Sequence, residues 1–101
     1  MSASIPKPPA GHFTLLYFAT AASYTSKEFE HFQASLPISK LFETLEAKYQ
    51  GITEKVLSSC AVTVNFEYVD IERPDGDAEG WVETVINAGD EVAIIPPVSS
   101  G

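Results

Sequence analysis

The chain has 101 residues, 45% hydrophobic and 20% charged, with fourteen Asp and Glu against six Lys and Arg and a formal net charge of −8. That length suits one domain with its own core, and the composition carries neither disordered nor collagen-like bias. So few cations argue against a nucleic acid partner, whose phosphates are held by clustered Lys and Arg; a basic or neutral protein fits better, although acidity also serves plain solubility.

The N-terminal segment MSASIPKPPAG, residues 1–11, lacks the apolar core of a signal peptide, and its prolines predict a flexible or extended arm. No run of apolar residues reaches the 18 or so that a membrane span needs. From Phe13, FTLLYFAT is apolar on both alternating faces, which predicts a central strand rather than an edge. AASYTSK then reads as a turn, and EFEHFQAS as a second strand that completes a β-hairpin with the first. His12 and His31 fall on these separate strands without ligand-like spacing, so strand-end roles outweigh catalysis.

In ISKLFETLEAKYQG, Ile38, Leu41, Phe42, Leu45 and Tyr49 form one stripe of an amphipathic helix, with Lys40, Glu43, Glu46 and Lys48 off the stripe and Gly51 as its stop. ITEKVLSS predicts a further helical turn. CAVTVNFEYV follows as a strand with Val62, Val64 and Phe66 on one side. Within it Cys60 is the single cysteine, which excludes an internal disulfide and favours a buried structural thiol in a reducing compartment, hence a cytosolic protein. DIERPDGDAEGW, with five carboxylates, Pro74, Gly76 and Gly80, reads as an acidic loop, pinned to the body by Trp81.

After a brief strand and a turn at Asn87 to Asp90, a last apolar strand runs from Glu91 to Ile95 and must end at Pro96 and Pro97, which cannot donate to a sheet ladder. Long apolar strands at both ends of the chain with one amphipathic helix between them predict an α+β fold. They imply a β-grasp, or ubiquitin-like, mixed sheet whose first and last strands pair centrally in parallel while the helix covers one face. The expected organisation is an arm at 1–11, a β-grasp domain at 12–95 and an extended C-terminal tail at 96–101.

That tail, Pro96, Pro97, Val98, Ser99, Ser100 and Gly101, follows directly on an apolar strand and ends in the least obstructed residue. Six extended residues reach roughly 20 Å, two prolines lower the entropy lost on ordering, and a terminal glycine leaves its carboxylate accessible. The bland alternative is a frayed end. A carboxylate is inert to nucleophiles until a partner activates it, for instance as an acyl-adenylate.

LYFA in the first strand, LFETL in the helix, AVTVNFEYV and above all GDEVAIIPPVSSG resemble the small subunits of molybdopterin synthase, which are ubiquitin-like sulfur carriers. The likeness spans about residues 12–101. It implies a β-grasp fold and a 2+2 heterotetramer with two large catalytic subunits. It also implies that Gly101 is adenylated by a ubiquitin-activating-like enzyme that consumes ATP, then sulfurated to a thiocarboxylate that donates sulfur to cyclic pyranopterin monophosphate. No metal and no permanently bound cofactor is implied. The family's partner-docking positions fall on Phe18, Tyr68 and Ile95, each of which could equally be core. Two departures stand out: Ser100 replaces the family's penultimate glycine, and the acidic stretch from Asp70 to Glu83 is longer than the family's compact turn. The rivals are a carrier for thiamine synthesis or tRNA thiolation, and a noncatalytic ubiquitin-like binding module. An independent enzyme is disfavoured, because no nucleophile–base set, metal cluster or phosphate loop is present.

Overall fold

β1 (His12–Tyr17) lies inside a five-stranded sheet, antiparallel to β2 (Phe29–Gln33) on one side and parallel to β7 (Glu91–Ile95) on the other. The computed structural model describes residues 6–71 and 82–97. The sheet order is β2-β1-β7-β4-β5, with β4 (Ala61–Val64) antiparallel to both β7 and β5 (Glu67–Val69). The parallel pairing of the first and last strands and the helices on one face agree with the expected β-grasp arrangement. The middle position, however, belongs to β7, and β1 is its interior neighbour.

Phe13, Leu15 and Tyr17 alternate toward the helices, as period-2 geometry requires. There they join Val62, Val92 and Ile94 from the sheet. The opposing layer is a 3-10 turn (Ile38–Lys40) leading into α2 (Leu41–Lys48), then α3 (Ile52–Lys55) and a second 3-10 turn (Leu57–Ser59). The predicted stripe is the buried face: Ile38, Leu41 and Leu45 are fully buried, with Phe42 and Tyr49 packed at the margin. Each buried Leu or Ile contributes roughly 1.5–3 kcal/mol. Gly51 separates α2 from α3 at φ +89, and a Cβ there would lie 2.9 Å from Tyr24 Oη. Glu46 closes the same junction by accepting the amides of Gly51 at 2.7 Å and Thr53 at 3.0 Å. These hydrogen bonds hold its carboxyl below the usual range.

Three readings of the sequence need correction and one needs completing. AASYTSK is not a simple turn, because Thr20–Thr25 forms the helix α1 between β1 and β2. Ala21 is buried, the Thr25 hydroxyl donates back to the Ala21 carbonyl at 3.0 Å, and Ser26 ends the helix in the left-handed region. CAVTVNFEYV is two strands, since the chain reverses at Asn65 and Phe66 with φ of +50 and +75, the two positive values of a tight hairpin turn. Phe66 therefore leaves the side of Val62 and Val64 and is 86% exposed. The brief strand before the last one, β6 (Val85–Ile86), pairs with β3 (Leu36–Pro37) in a second, two-stranded sheet. Here the unexpected β3 uses Pro37 at the end of a strand, a position proline tolerates. Lastly, Cys60 is half-buried rather than fully enclosed; it packs against the core, its thiol donates to the Val56 carbonyl at 3.0 Å, and burial raises its pKa.

Candidate functional site

Among the described residues, those that alternate away from the helices meet no second layer. Leu16 on β1, Thr63 on β4 and Ala93 on β7 share that face by register, with Leu16 opposite Ala93 and Thr63 opposite Ala93 on its other side. They floor a shallow apolar groove of about 240 Å³ whose walls include Phe18, Tyr68 and Ile95. The three residues assigned to docking are thus brought together. Phe18 is 48% and Tyr68 73% exposed, while Ile95 is half-buried. The alternative that each is core is excluded for the first two. Exposed apolar side chains gathered in this way are the kind of surface that partners cover.

The groove ends where the tail begins. Ile95 is the last residue of β7, and Pro96 and Pro97 follow it out of the sheet. Because β7 is the middle strand, held on both sides by β1 and β4, the point of exit is fixed by two ladders. Val98, Ser99, Ser100 and Gly101, like the arm at residues 1–5 and the acidic stretch 72–81 with Trp81, lie outside the described residues. Of the acidic segment's flanks, Val82 is exposed, and the Glu83 carboxylate accepts the Ser39 amide at 2.7 Å, which lowers its pKa.

On the helix side the structure holds a polar cluster that the sequence did not signal. Glu30 on β2 is only 8% exposed. One of its carboxylate oxygens accepts the Tyr17 hydroxyl at 2.6 Å and the Tyr49 hydroxyl at 2.7 Å. The other accepts Lys27 at 3.0 Å and also Lys48. Burial by itself would raise the carboxyl, but the hydrogen bonds from Lys48, Tyr17, Tyr49 and Lys27 outweigh it and bring the pKa to about 2. Burial and the same carboxylate push the Tyr17 phenol far upward, so it stays protonated. The cluster joins β2 to α2 and is closed to ligands by its own partners. No spacing rule would have found it, since its members come from β1, the α1–β2 connection, β2 and the end of α2.

His12 and His31 do lie on neighbouring strands, His31 opposite Thr14 and His12 opposite Gln33. His12 Nδ1 is bonded to the Ala10 carbonyl oxygen at 3.0 Å. Among the described residues no three His, Cys, Asp or Glu side chains gather as a metal site. No described helix is long and apolar enough to cross a membrane.

Comparison with known proteins adds identity to this geometry. The family model described as the ThiS family matches residues 15–101. The molybdopterin synthase sulfur carrier subunit of Phaeosphaeria nodorum is 58% identical over 95 residues, covering 94% of this chain and 96% of that protein. The crystal structure of SAMP1 from Haloferax volcanii superposes with a TM-score of 0.64 at 19% identity, over 90% of this chain and 100% of that one. Subunits 1 and 2 of the molybdopterin-converting factor of Helicobacter pylori, solved as a protein–protein complex, include a chain with a TM-score of 0.52 at 21% identity, over 89% of this chain and 99% of that one. At these identities the two solved structures establish the ubiquitin-like β-grasp fold. With the family pattern running from β1 to Gly101 and that identity sustained over nearly the whole length, the chain belongs to the ThiS family, among the molybdopterin synthase sulfur carrier subunits.

Proposed function

We propose that the chain carries sulfur for molybdopterin synthesis on the carboxylate of Gly101 and is the small subunit of a cytosolic molybdopterin synthase. The observation that carries this reading is the 58% identity to a sulfur carrier subunit over 94% of the chain. The structural support is the exit of Pro96 and Pro97 from the middle strand beside an open apolar face. An activating partner joins the Gly101 carboxylate to the AMP moiety of ATP with release of pyrophosphate. A sulfur nucleophile then displaces AMP, leaving a thiocarboxylate. The tail, which reaches roughly 20 Å from Pro96, enters the pocket of a large subunit, and sulfur passes to cyclic pyranopterin monophosphate; water returns the carboxylate.

In this scheme the chain's own contribution is presentation. Phe18, Tyr68 and Ile95 dock the body, and Pro96 and Pro97 stiffen the tail so that less entropy is lost on insertion. Val98, Ser99 and Ser100 are small enough to thread a channel, with Ser100 adding one hydroxymethyl where the family has glycine. The reacting pocket belongs to the large subunit in a 2+2 assembly, ATP is consumed by the activating enzyme, and the chain itself holds no permanent cofactor. The test is reconstitution of molybdopterin synthesis with a chain lacking Gly101. Binding to the large subunit and thermal stability are expected to be unchanged and product formation lost; undiminished synthesis would overturn the reading.

A further inference from the structure

The groove has a rim that the three docking residues leave unexplained. Phe66 is the most exposed large apolar side chain among the described residues. It also sits at φ +75, a region disfavoured for any residue with a Cβ and for which the second position of such a turn ordinarily uses glycine. Neither property helps the fold. A glycine would suit the turn better and would remove an aromatic ring from water.

The turn is nevertheless held firmly. Asn65 Nδ2 donates to Asp90 Oδ1 at 3.1 Å, Asn65 Oδ1 accepts the Glu91 amide at 3.0 Å, and the Asn65 amide donates to the Glu91 carbonyl at 2.7 Å. These bonds lock Phe66 to the start of β7. At the other end Phe18 precedes Ala19, which has φ +52 and is likewise a non-glycine residue in the positive region. Strained backbone of this kind persists where the surroundings over-determine it, and it clusters at functional surfaces. The groove thus runs beside β7 from Phe66 and Glu91 to Phe18 and Ile95, a span of about 13 Å for four residue steps. Its charged lining residue is Glu91, with no described Lys or Arg in the lining; Glu67, opposite Val64, is exposed toward the other side of the sheet.

We infer that Phe66 is a specificity-determining contact for the second synthase subunit, whose matching surface seats an apolar side chain in the groove and sets a Lys or Arg against Glu91. The inference rests on the reading that the chain docks to such a subunit. One anchor beside the tail root would leave the partner free to pivot. A second anchor at the opposite end of β7 fixes its orientation, and with it the direction in which the tail enters. Continuity with the docking residues and the negative charge at this end select a basic-rimmed protein surface as the occupant.

The test compares the full-length wild-type chain with F66G and E91Q for binding to the purified large subunit across a salt series, with thermal melting of each chain. F66G is expected to melt at or above the wild-type temperature, because strain is relieved. It should bind roughly tenfold more weakly, the loss expected when an aromatic anchor that is buried on docking is removed. E91Q is expected to weaken binding and flatten its salt dependence. F66G that binds like wild type overturns the inference and leaves the proposed function standing, as does F66G that loses stability in step with affinity. Wild type that does not bind the large subunit at all overturns both.

Discussion

The two faces of the main sheet are both apolar, yet one is closed and the other left open. On the helix side, Phe13, Leu15, Ile94 and Val92 meet Leu41, Leu45 and Ile52, and the carboxylate at the margin, Glu30, is saturated by two tyrosines and two lysines. On the other side, Phe18, Tyr68 and Phe66 stand in water around a floor of Thr63 and Ala93. A protein of this size gains its stability from one core, so the uncovered apolar face adds nothing until a partner covers it. On the proposed function the difference separates residues that fold the chain from residues that dock it, and substitutions on the two faces should divide along the same line.

The largest effect is expected at Glu30. Glu30→Ala strands the buried Tyr17 hydroxyl and uncouples Lys48 from β2, and removing one partner of a buried pair costs roughly 3–5 kcal/mol; chemical denaturation would measure it. At temperatures where the variant stays folded its affinity for the large subunit should be unchanged, and a selective loss of affinity would erase the distinction between the faces. Acid should reproduce much of that loss in the unaltered chain. The Glu30 carboxyl lies at about 2 in the folded protein, against an unfolded value of about 4.3. Its stabilisation is therefore fully present above about pH 4.5 and disappears as pH falls toward 2, a contribution of about 3 kcal/mol. Denaturation midpoints followed through that window in wild type and Glu30→Gln should converge, and parallel curves would contradict the assignment.

Tyr68→Ala is expected to do the reverse, weakening partner binding by about 1–2 kcal/mol while folding stability moves by less than about 0.5 kcal/mol. Calorimetric titration against the large subunit, paired with a melt, reads both. Gly51→Ala gives an effect of similar size that is confined to stability. The positive φ and the approach to Tyr24 Oη at 2.9 Å predict a stability loss of about 1–2 kcal/mol, with docking untouched because the α2–α3 junction lies on the closed side.

Much of the closed side was legible in the sequence, because burial imposes period. The Ile38 to Tyr49 stripe and the apolar runs at 13–17 and 91–95 each appear as a repeat that physics allows few ways to satisfy. The parallel pairing of β1 and β7 follows from those runs and a crossover helix. What escaped notice was local chemistry without period. α1 is held by a threonine back-bond and a left-handed Ser26. β3 is two residues long, too short to show alternation, so the partner of the brief strand β6 went unread. The turn at Asn65 and Phe66 hid inside an apolar run because the residue after Asn65 is phenylalanine where glycine would announce the reversal. Of the open face, Phe18, Tyr68 and Ile95 were found through resemblance, whereas Phe66 was placed on the wrong side by the same missed turn. Glu30 and its partners were invisible because only the fold assembles them.

The proposed function requires sulfur on one carboxylate, that of Gly101, and tandem mass spectrometry of the C-terminal peptide tests it most directly. The full chain would be incubated with its activating enzyme, Mg-ATP and a sulfur donor, and a carrier ending in Gly-Gly would be loaded in parallel. Fragment ions must locate the change, since exchange of oxygen for sulfur adds nearly the mass of one oxidation, which Met1 or Cys60 can also take up. Sulfur on Gly101 is the predicted result, and it would show that Ser100 is accommodated at the reacting end. An unmodified Gly101 beside a loaded Gly-Gly control would contradict the claim that this chain carries sulfur.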